Sequence, residues 1–399
     1  MARGTTGEDR DRAATPGARR RAQDTVRDRR RAVVRTAVAL AAVAAGLALC
    51  ATAGTPAPQG ADARPARRPF TLLATGDVIP YPSIIEQAAA DAGGAGHDFR
   101  PILAGVRAPV AAADLALCHL ETPAGPPQGP FTGYPVFSSP PQLAPALRDT
   151  GYDSCSTASN HTLDGGMDGV ARTLGALDAA GVRHAGSGRT QAEAGRPALL
   201  RAGGAKVAHL SYTHFSNIEP PPGSPWAVNR LSVPKVAADA RAARRAGADV
   251  VVVSVHWGTE WQREPDRQQR LVAEELTRLE TDGHKDVDLI LGTHNHVAQP
   301  YEKVNGTWVV YGLGDQMASF VPELYRGNEG SAARFTFAPR KGRWAVDKAE
   351  FLAQHSDTGP PFRVTLATRE TFPEVHDRVR AAVLSRGAAA DGLREARAR

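Results

Sequence analysis

The chain has 399 residues, 42% hydrophobic and 23% charged, with 39 Gly, 30 Pro and 3 Cys. That apolar content suits one large domain or two small ones and excludes a disordered chain, and three cysteines exclude a disulfide scaffold. The net charge of +6 lies in residues 1–35, where eleven Arg face five acids, so the rest of the chain is charge-neutral and gives no ground for nucleic-acid binding.

In chain order, the basic stretch leads into Thr36 to Thr55, twenty residues without a charge. A basic front, an apolar middle and small residues behind have the layout of an export signal. Arg30-Arg31-Ala32-Val33-Val34-Arg35 resembles a twin-arginine signal. A cleaved signal and a single-span anchor both fit, since about 20 residues cross a bilayer. Lipidation at Cys50 is a third option, poorly matched because Leu49 is bulky where a small residue is expected. The expected organisation is a basic disordered segment (1–35), a signal peptide or membrane anchor (36–55), a linker (56–69), the main domain (70–355) and a C-terminal extension with a helix (356–399). The main domain is then expected outside the cytoplasm, secreted or membrane-anchored. There Cys118 and Cys155 would be free to pair, but each also reads as a small residue in an apolar strand, and buried and unpaired is the expectation.

From Phe70 onward short β-rich runs alternate with helical patterns. Strands are expected at 70–74, 114–118, 153–159, 182–185, 198–201, 206–212, 249–255 and 287–291. A hairpin turning at Asn305-Gly306 follows, then strands near 333–338 and 344–353. Helices are expected at 83–90, 101–113, 142–149, 169–180, 233–246 and 267–282, with a polar helix from Arg369 onward. Such alternation predicts an α/β domain.

Five apolar runs end in Asp, Glu, Asn or His, and the carboxyl ends of strands are where such sheets build their sites. The endings supply Asp77, Glu121, Asn160, His161, His256, His294 and His296. Oxygen and imidazole donors with little thiolate suit a hydrolytic metal site of one or two ions. Singly, Asp77 also reads as a turn residue, Glu121 as a loop cap and His256 as a polar neighbour of Trp257. His294 and His296 are stronger together, because alternate residues of an extended segment point the same way. His284, His355 and His376 read as solvated, His209 and His214 flank a strand, and Trp226, Trp257 and Trp261 read as packing or cleft-wall aromatics.

The ordered set Gly76-Asp77, Leu120-Glu121, Ser159-Asn160-His161, Val255 to Glu260 and Gly292 to Pro300 resembles the CapA family of poly-gamma-glutamate capsule proteins. That family is similar to a branch of the calcineurin-like metallophosphatases. The resemblance runs from roughly Phe70 to Phe320, and the motifs are specific in combination and order. It implies a four-layer α/β sandwich of two mixed sheets with helices outside. It also implies that Asp77 and His296 hold one divalent ion (Mn, Fe or Zn), that Asn160, His256 and His294 hold a second, and that Glu121 bridges. His161 would be the general acid, oriented by Asp164, with a metal-bound hydroxide attacking phosphorus. The chain departs from the pattern in three places. It lacks the metallophosphatase His two places after Asp77, and it has His119 and Asp315 where the family usually has Asn. His119 reads as an extra ligand, a second donor or filler facing away from the site, and Asp315 as added charge or a turn cap. His119 and Arg189 are the candidate substrate-binding residues, Arg189 as a bidentate clamp on an anion or as a surface charge.

Two functions compete. One is a hydrolase or transferase acting on capsule or cell-envelope polymer, with an anionic polymer or a phosphorus-containing molecule as substrate. The other is a non-catalytic component that binds, exports or anchors such a polymer through its ions. Capsule-synthesis membrane proteins are the implied partners, with a membrane contact through the N-terminal segment and no nucleic acid.

Overall fold

The computed structural model describes residues 66–320 and 322–397. The expected basic segment, the signal or anchor, Cys50 and most of the linker lie outside the described residues. Among those described, no helix is long and apolar enough to cross a membrane.

Seventeen strands make up the sheets among the described residues: β1 (Phe70–Val78), β2 (Leu115–Leu120), β3 (Ser154–Ser156), β4 (Arg183–Ala185), β5 (Ala198–Ala202), β6 (Ala205–Thr213), β7 (Val250–His256), β8 (Glu280–Thr281), β9 (His284–Lys285), β10 (Leu289–Thr293), β11 (Tyr301–Val304), β12 (Thr307–Val310), β13 (Asp315–Met317), β14 (Glu329–Arg340), β15 (Arg343–Ser356), β16 (Val364–Leu366) and β17 (Leu393–Glu395). One large sheet runs β16-β15-β14-β1-β2-β3-β4, with β13 also on β1 and β17 also on β15. The second runs β11-β12-β10-β7-β6-β5, and β8 and β9 form a separate hairpin.

Side chains alternate faces along each strand, and the core follows that alternation. Leu72, Ala74, Leu115 and Leu117 of the first sheet pack with Val250, Val252, Leu289 and Leu291 of the second in one cluster, so the sheets lie face to face. The alternate residues face outward. Leu73, Ala116 and Cys118 meet α1 (Pro82–Asp91), α2 (Leu143–Thr150) and α3 (Gly166–Ala180). Val251, Val253, Val255 and Ile290 meet α4 (Val233–Arg245) and α5 (Arg267–Arg278). Strands apolar on both faces result, as burial between two layers requires. The four-layer sandwich of two mixed sheets flanked by helices is the fold that was expected.

The expected helix over 101–113 is broken into Arg100–Leu103, a 3-10 turn and Arg107–Ala111. Pro109 removes a backbone donor from it, and a Cβ on Gly105 would lie 2.6 Å from the carbonyl oxygen of Val364, so the chain must press against β16 there. The helix expected over 267–282 starts with an Asp266/Gln269 capping box and ends at Arg278, because Asp282-Gly283, both at positive φ, turn the β8–β9 hairpin. The C-terminal segment 356–399 contributes β16 and β17 to the large sheet through β15, and Val375, Val379 and Val383 of α6 (Pro373–Leu384) join the intersheet cluster.

Three expectations are corrected. His355 is largely buried, not solvated, with its side chain 14% exposed and its ring 4.5 Å from that of Phe372. His376 is buried, not solvated, with its ring nitrogens 2.9 Å from Asp377 Oδ1 and 2.8 Å from Glu395 Oε1. Cys118 and Cys155 are joined in a disulfide, because the β2–β3 register sets them directly opposite one another. Removing that link by Cys118→Ala with Cys155→Ala should lower unfolding stability by about 2–4 kcal/mol, because the oxidised unfolded chain is constrained by a loop with ends 37 residues apart. A denaturant titration of the double variant against the oxidised protein reads this directly.

Candidate metal centre

The donors gather where the strands end. Asp77 stands near the end of β1, His119 and Glu121 at the end of β2, and His256 closes β7. Asn160 and His161 follow β3, His294 and His296 follow β10, and Asp315 opens β13. All of these are buried. Along β2, Leu115 and Leu117 face the second sheet, and continuing the alternation turns His119 the same way, into the cleft and not away from it.

His256 Nε2 and Asn160 Oδ1 lie 2.8 Å apart, and the His256 and His294 rings are 4.6 Å apart. His296 Nδ1 is 3.0 Å from Asp315 Oδ1 and 3.8 Å from Asp77 Oδ2, and the His294 backbone N–H donates to Asp77 Oδ2 at 3.0 Å. His119 Nε2 stands 3.6 Å from Asp77 Oδ1. The donors of Asp77, His119, Glu121 and His256 fall within 4.8 Å of one another, as do those of Asp77, His296 and Asp315 and those of Glu260, His294 and His296.

His294 and His296 converge by a different route from the extended alternation expected. β10 ends at Thr293, and both histidines take left-handed backbone, with φ of 91° and 56°. Each such non-glycine residue costs about 1–3 kcal/mol and persists only where its surroundings hold it. Here the hydrogen bond from His294 N–H to Asp77 and the contact of His296 with Asp315 do so.

The cluster fits a divalent cation. Asp77 Oδ1, His119 Nε2, Glu121 Oε2, His294 Nδ1 and Asp315 Oδ2 are buried without a hydrogen-bond partner. Native proteins rarely leave such atoms unsatisfied. The protonation balance agrees. Burial, with Glu121 and Asp315 nearby, drives the Asp77 carboxyl well up, and burial lifts Glu121 to about 7. Burial and neighbouring imidazoles push His119 and His294 down to about 3. His296 goes the other way: burial opposes its charge, but Asp315, Glu121 and Asp77 outweigh it and hold it at about 10. Crowded carboxyls beside the neutral His119 and His294 are what a cation stabilises, by replacing protons on the carboxyls and on His296. Carboxylate and imidazole donors together suit Mn, Fe or Zn, without deciding among them.

His161 lies at the edge of the cluster with Nδ1 2.7 Å from Asp164 Oδ2, and the same oxygen accepts the Phe137 backbone N–H at 2.7 Å. Burial works against its charge, but the hydrogen bond to Asp164 and the Glu121 carboxylate hold its pKa above the usual value. Aromatic rings wall the site: Phe137 on His161, Phe215 on His294, and Trp261 and Phe320 on His296.

Arg189 is not brought to this cluster. Its guanidinium pairs with Glu193 and Asp178 on an exposed edge. His209 is a core residue, bridging Ser154 Oγ and Ser254 Oγ between the sheets at 2.9 Å each. Asp315 and Glu260 were not among the expected ligands. The available signal for Asp315 was its position after Tyr311-Gly-Leu-Gly314, and for Glu260 its place in the segment that begins with Val255-His256.

A sequence model of the family described as Bacterial capsule synthesis protein PGA_cap matches residues 71–319. The chain belongs to this family. Within it, the chain is 30% identical over 175 residues to the PGA biosynthesis protein CapA of Bacillus subtilis strain 168, covering 42% of this chain and 43% of that protein. It is 26% identical over 184 residues to the capsule biosynthesis protein CapA of Bacillus anthracis, covering 45% and 43%. The chain thus spans under half the length of these two capsule proteins. Among solved structures it is similar to the calcineurin-like phosphoesterase YfkN of Bacillus subtilis, with a TM-score of 0.42, 15% identity and coverage of 78% of this chain and 98% of that one. It is also similar to a 5'-nucleotidase precursor of Thermus thermophilus, with a TM-score of 0.43, 17% identity and coverage of 79% and 57%.

Proposed function

We propose that this capsule-family chain works outside the cytoplasm as a metal-dependent hydrolase or transferase acting at phosphorus on an anionic capsule or envelope polymer. The observation that carries the reading is His161, held by Asp164 at the edge of a cluster suited to cations. A protein that only bound polymer through its ions would have no use for an oriented proton donor beside them.

Asp77, Glu121, Asn160, His256, His294 and His296 would hold one or two divalent ions. Such ions supply Lewis acidity toward a phosphoryl oxygen and lower the pKa of water. The chain's own residues do the rest. Asp164 takes His161 Nδ1, which leaves Nε2 to deliver a proton to the departing oxygen. The Phe137 backbone N–H fixes the Asp164 carboxylate, so the imidazole plane is set before substrate arrives. Phe137, Phe215, Trp261 and Phe320 limit water around the reacting atoms. Beside the His296 loop a cavity of about 260 Å³ is lined by Val297 and Ala298 with charges of both signs, Arg263 and Arg326 against Glu264 and Glu329.

The purified full-length protein, loaded with Mn²⁺, Zn²⁺ or Fe²⁺, should hydrolyse an aryl phosphodiester and lose that turnover on chelation. Chelation-sensitive binding of polyglutamate with no turnover on any phosphoester would instead establish the non-catalytic alternative.

A further inference from the structure

His119 and Asp315 have no part in that chemistry, yet the sheet sets both against Asp77. In the parallel pairing at this end of β1, Asp77 is in register with His119 on β2 and with Asp315 on β13. Residues paired across neighbouring strands share a face, so the three side chains form a row along the floor of the site.

The contacts of His119 occupy one ring nitrogen and leave the other without a partner. Ser156 Oγ stands 2.7 Å from His119 Nδ1 and 3.3 Å from the Cys118 carbonyl oxygen, which accepts when the hydroxyl proton turns to it. The Nδ1–Ser156 pair is a hydrogen bond in either tautomer, its direction set by where the imidazole proton sits. An outer hydroxyl on Nδ1 with Nε2 turned to the site is the arrangement of metal-binding histidines. Nε2 lies 3.6 Å from Asp77 Oδ1, too far for a hydrogen bond, and has no other partner. Asp77 Oδ1 and Glu121 Oε2 are equally without one. On the other side of Asp77, Asp315 Oδ1 meets His296 Nδ1 at 3.0 Å while its Oδ2 is left over.

We infer that His119 and Asp315 are metal ligands, one on each side of a shared Asp77: His119 with Glu121 and His256 at one cation position, Asp315 with His296 at the other. The inference rests on the metal-dependent reading and changes its ligand set, making Asp77 common to both positions. Without cations, a proton shared between Asp77 and Asp315 would be the other way to relieve their crowding, and His119 would be a buried polar residue with an idle nitrogen.

The test is Mn²⁺ binding to the metal-free full-length protein, by calorimetry and elemental analysis, with the visible spectrum of the Co²⁺-loaded form as second readout. His119→Asn and Asp315→Asn should each weaken a cation-binding step by at least about 10–100-fold and shift the Co²⁺ spectrum. Ser156→Ala should weaken the same step as His119→Asn, but less. His119→Gln and Asp315→Ala, compared by melting temperature in the metal-free state, separate a lost ligand from a folding defect. Unchanged binding and spectra in the His119 and Asp315 variants, with a cation lost in His256→Ala, would overturn this assignment and leave the metal-dependent reading standing. A wild-type protein that takes up no cation would overturn both.

Discussion

Replacing His161 by Ala should leave the bound metal unchanged and cut phosphodiester turnover by about 10²–10⁴-fold, the range for loss of a positioned proton donor. The imidazole is held through Nδ1 by Asp164, so its absence removes a proton source without touching the Asp77, Glu121, His256, His294 or His296 side chains. The size of the loss should depend on the leaving group. An aryl oxide of low pKa departs without help, whereas an alkoxide needs the proton, so the variant should lose most on alkyl diesters. Asp164→Asn keeps an oxygen that can accept from Phe137 N–H but no longer holds a carboxylate against the imidazole, and a smaller loss in the same direction is expected. A His161→Ala protein with wild-type turnover on an alkyl diester would remove His161 from the chemistry.

A large structural effect is expected from Gly292→Ala. A Cβ at this position would sit 1.9 Å from the Tyr311 carbonyl oxygen and 2.5 Å from Trp257 Nε1. Neither can move aside, because the indole N–H donates to that same carbonyl at 2.9 Å and Trp257 is fully buried. The end of β10 would have to leave β12, and His294 and His296 follow directly. A destabilisation of about 3 kcal/mol or more is expected, together with loss of cation uptake. Gly175→Ala is the control. It lies inside α3 with open space around its Cβ, and it should stabilise the protein by up to about 1 kcal/mol. Denaturant midpoints of the two variants, measured side by side, check both signs.

Much of the site was legible in the chain because it uses strand ends. Apolar runs that stop at Asp, Glu, Asn or His announce both the sheet and its working edge. Period-two alternation carried far enough even turns His119 toward the cleft, since it follows Leu115 and Leu117 on one face. Other features were not legible. Asp315 sits on β13, three residues long, whose place beside β1 comes from pairing with a partner more than 200 residues earlier. The sharing of the Asp178 and Glu193 carboxylates by Arg189 depends on how a short turn folds back, and nothing in local spacing records it. The burial of His376 required β17 to return to β15, bringing Glu395 within reach.

The order of residues alone determined the α/β class, the capsule-family motifs whose resemblance implied the four layers, and most of the candidate ligands, because periodicity and strand-end chemistry are local properties of a chain. Tertiary structure decided which donors cluster, that His119 Nε2 is left without a partner, that Cys118 and Cys155 are bonded, and that His294 and His296 meet through left-handed backbone. These depend on register between strands distant in sequence, and a shift of one residue in that register would turn each side chain to the opposite face of its sheet.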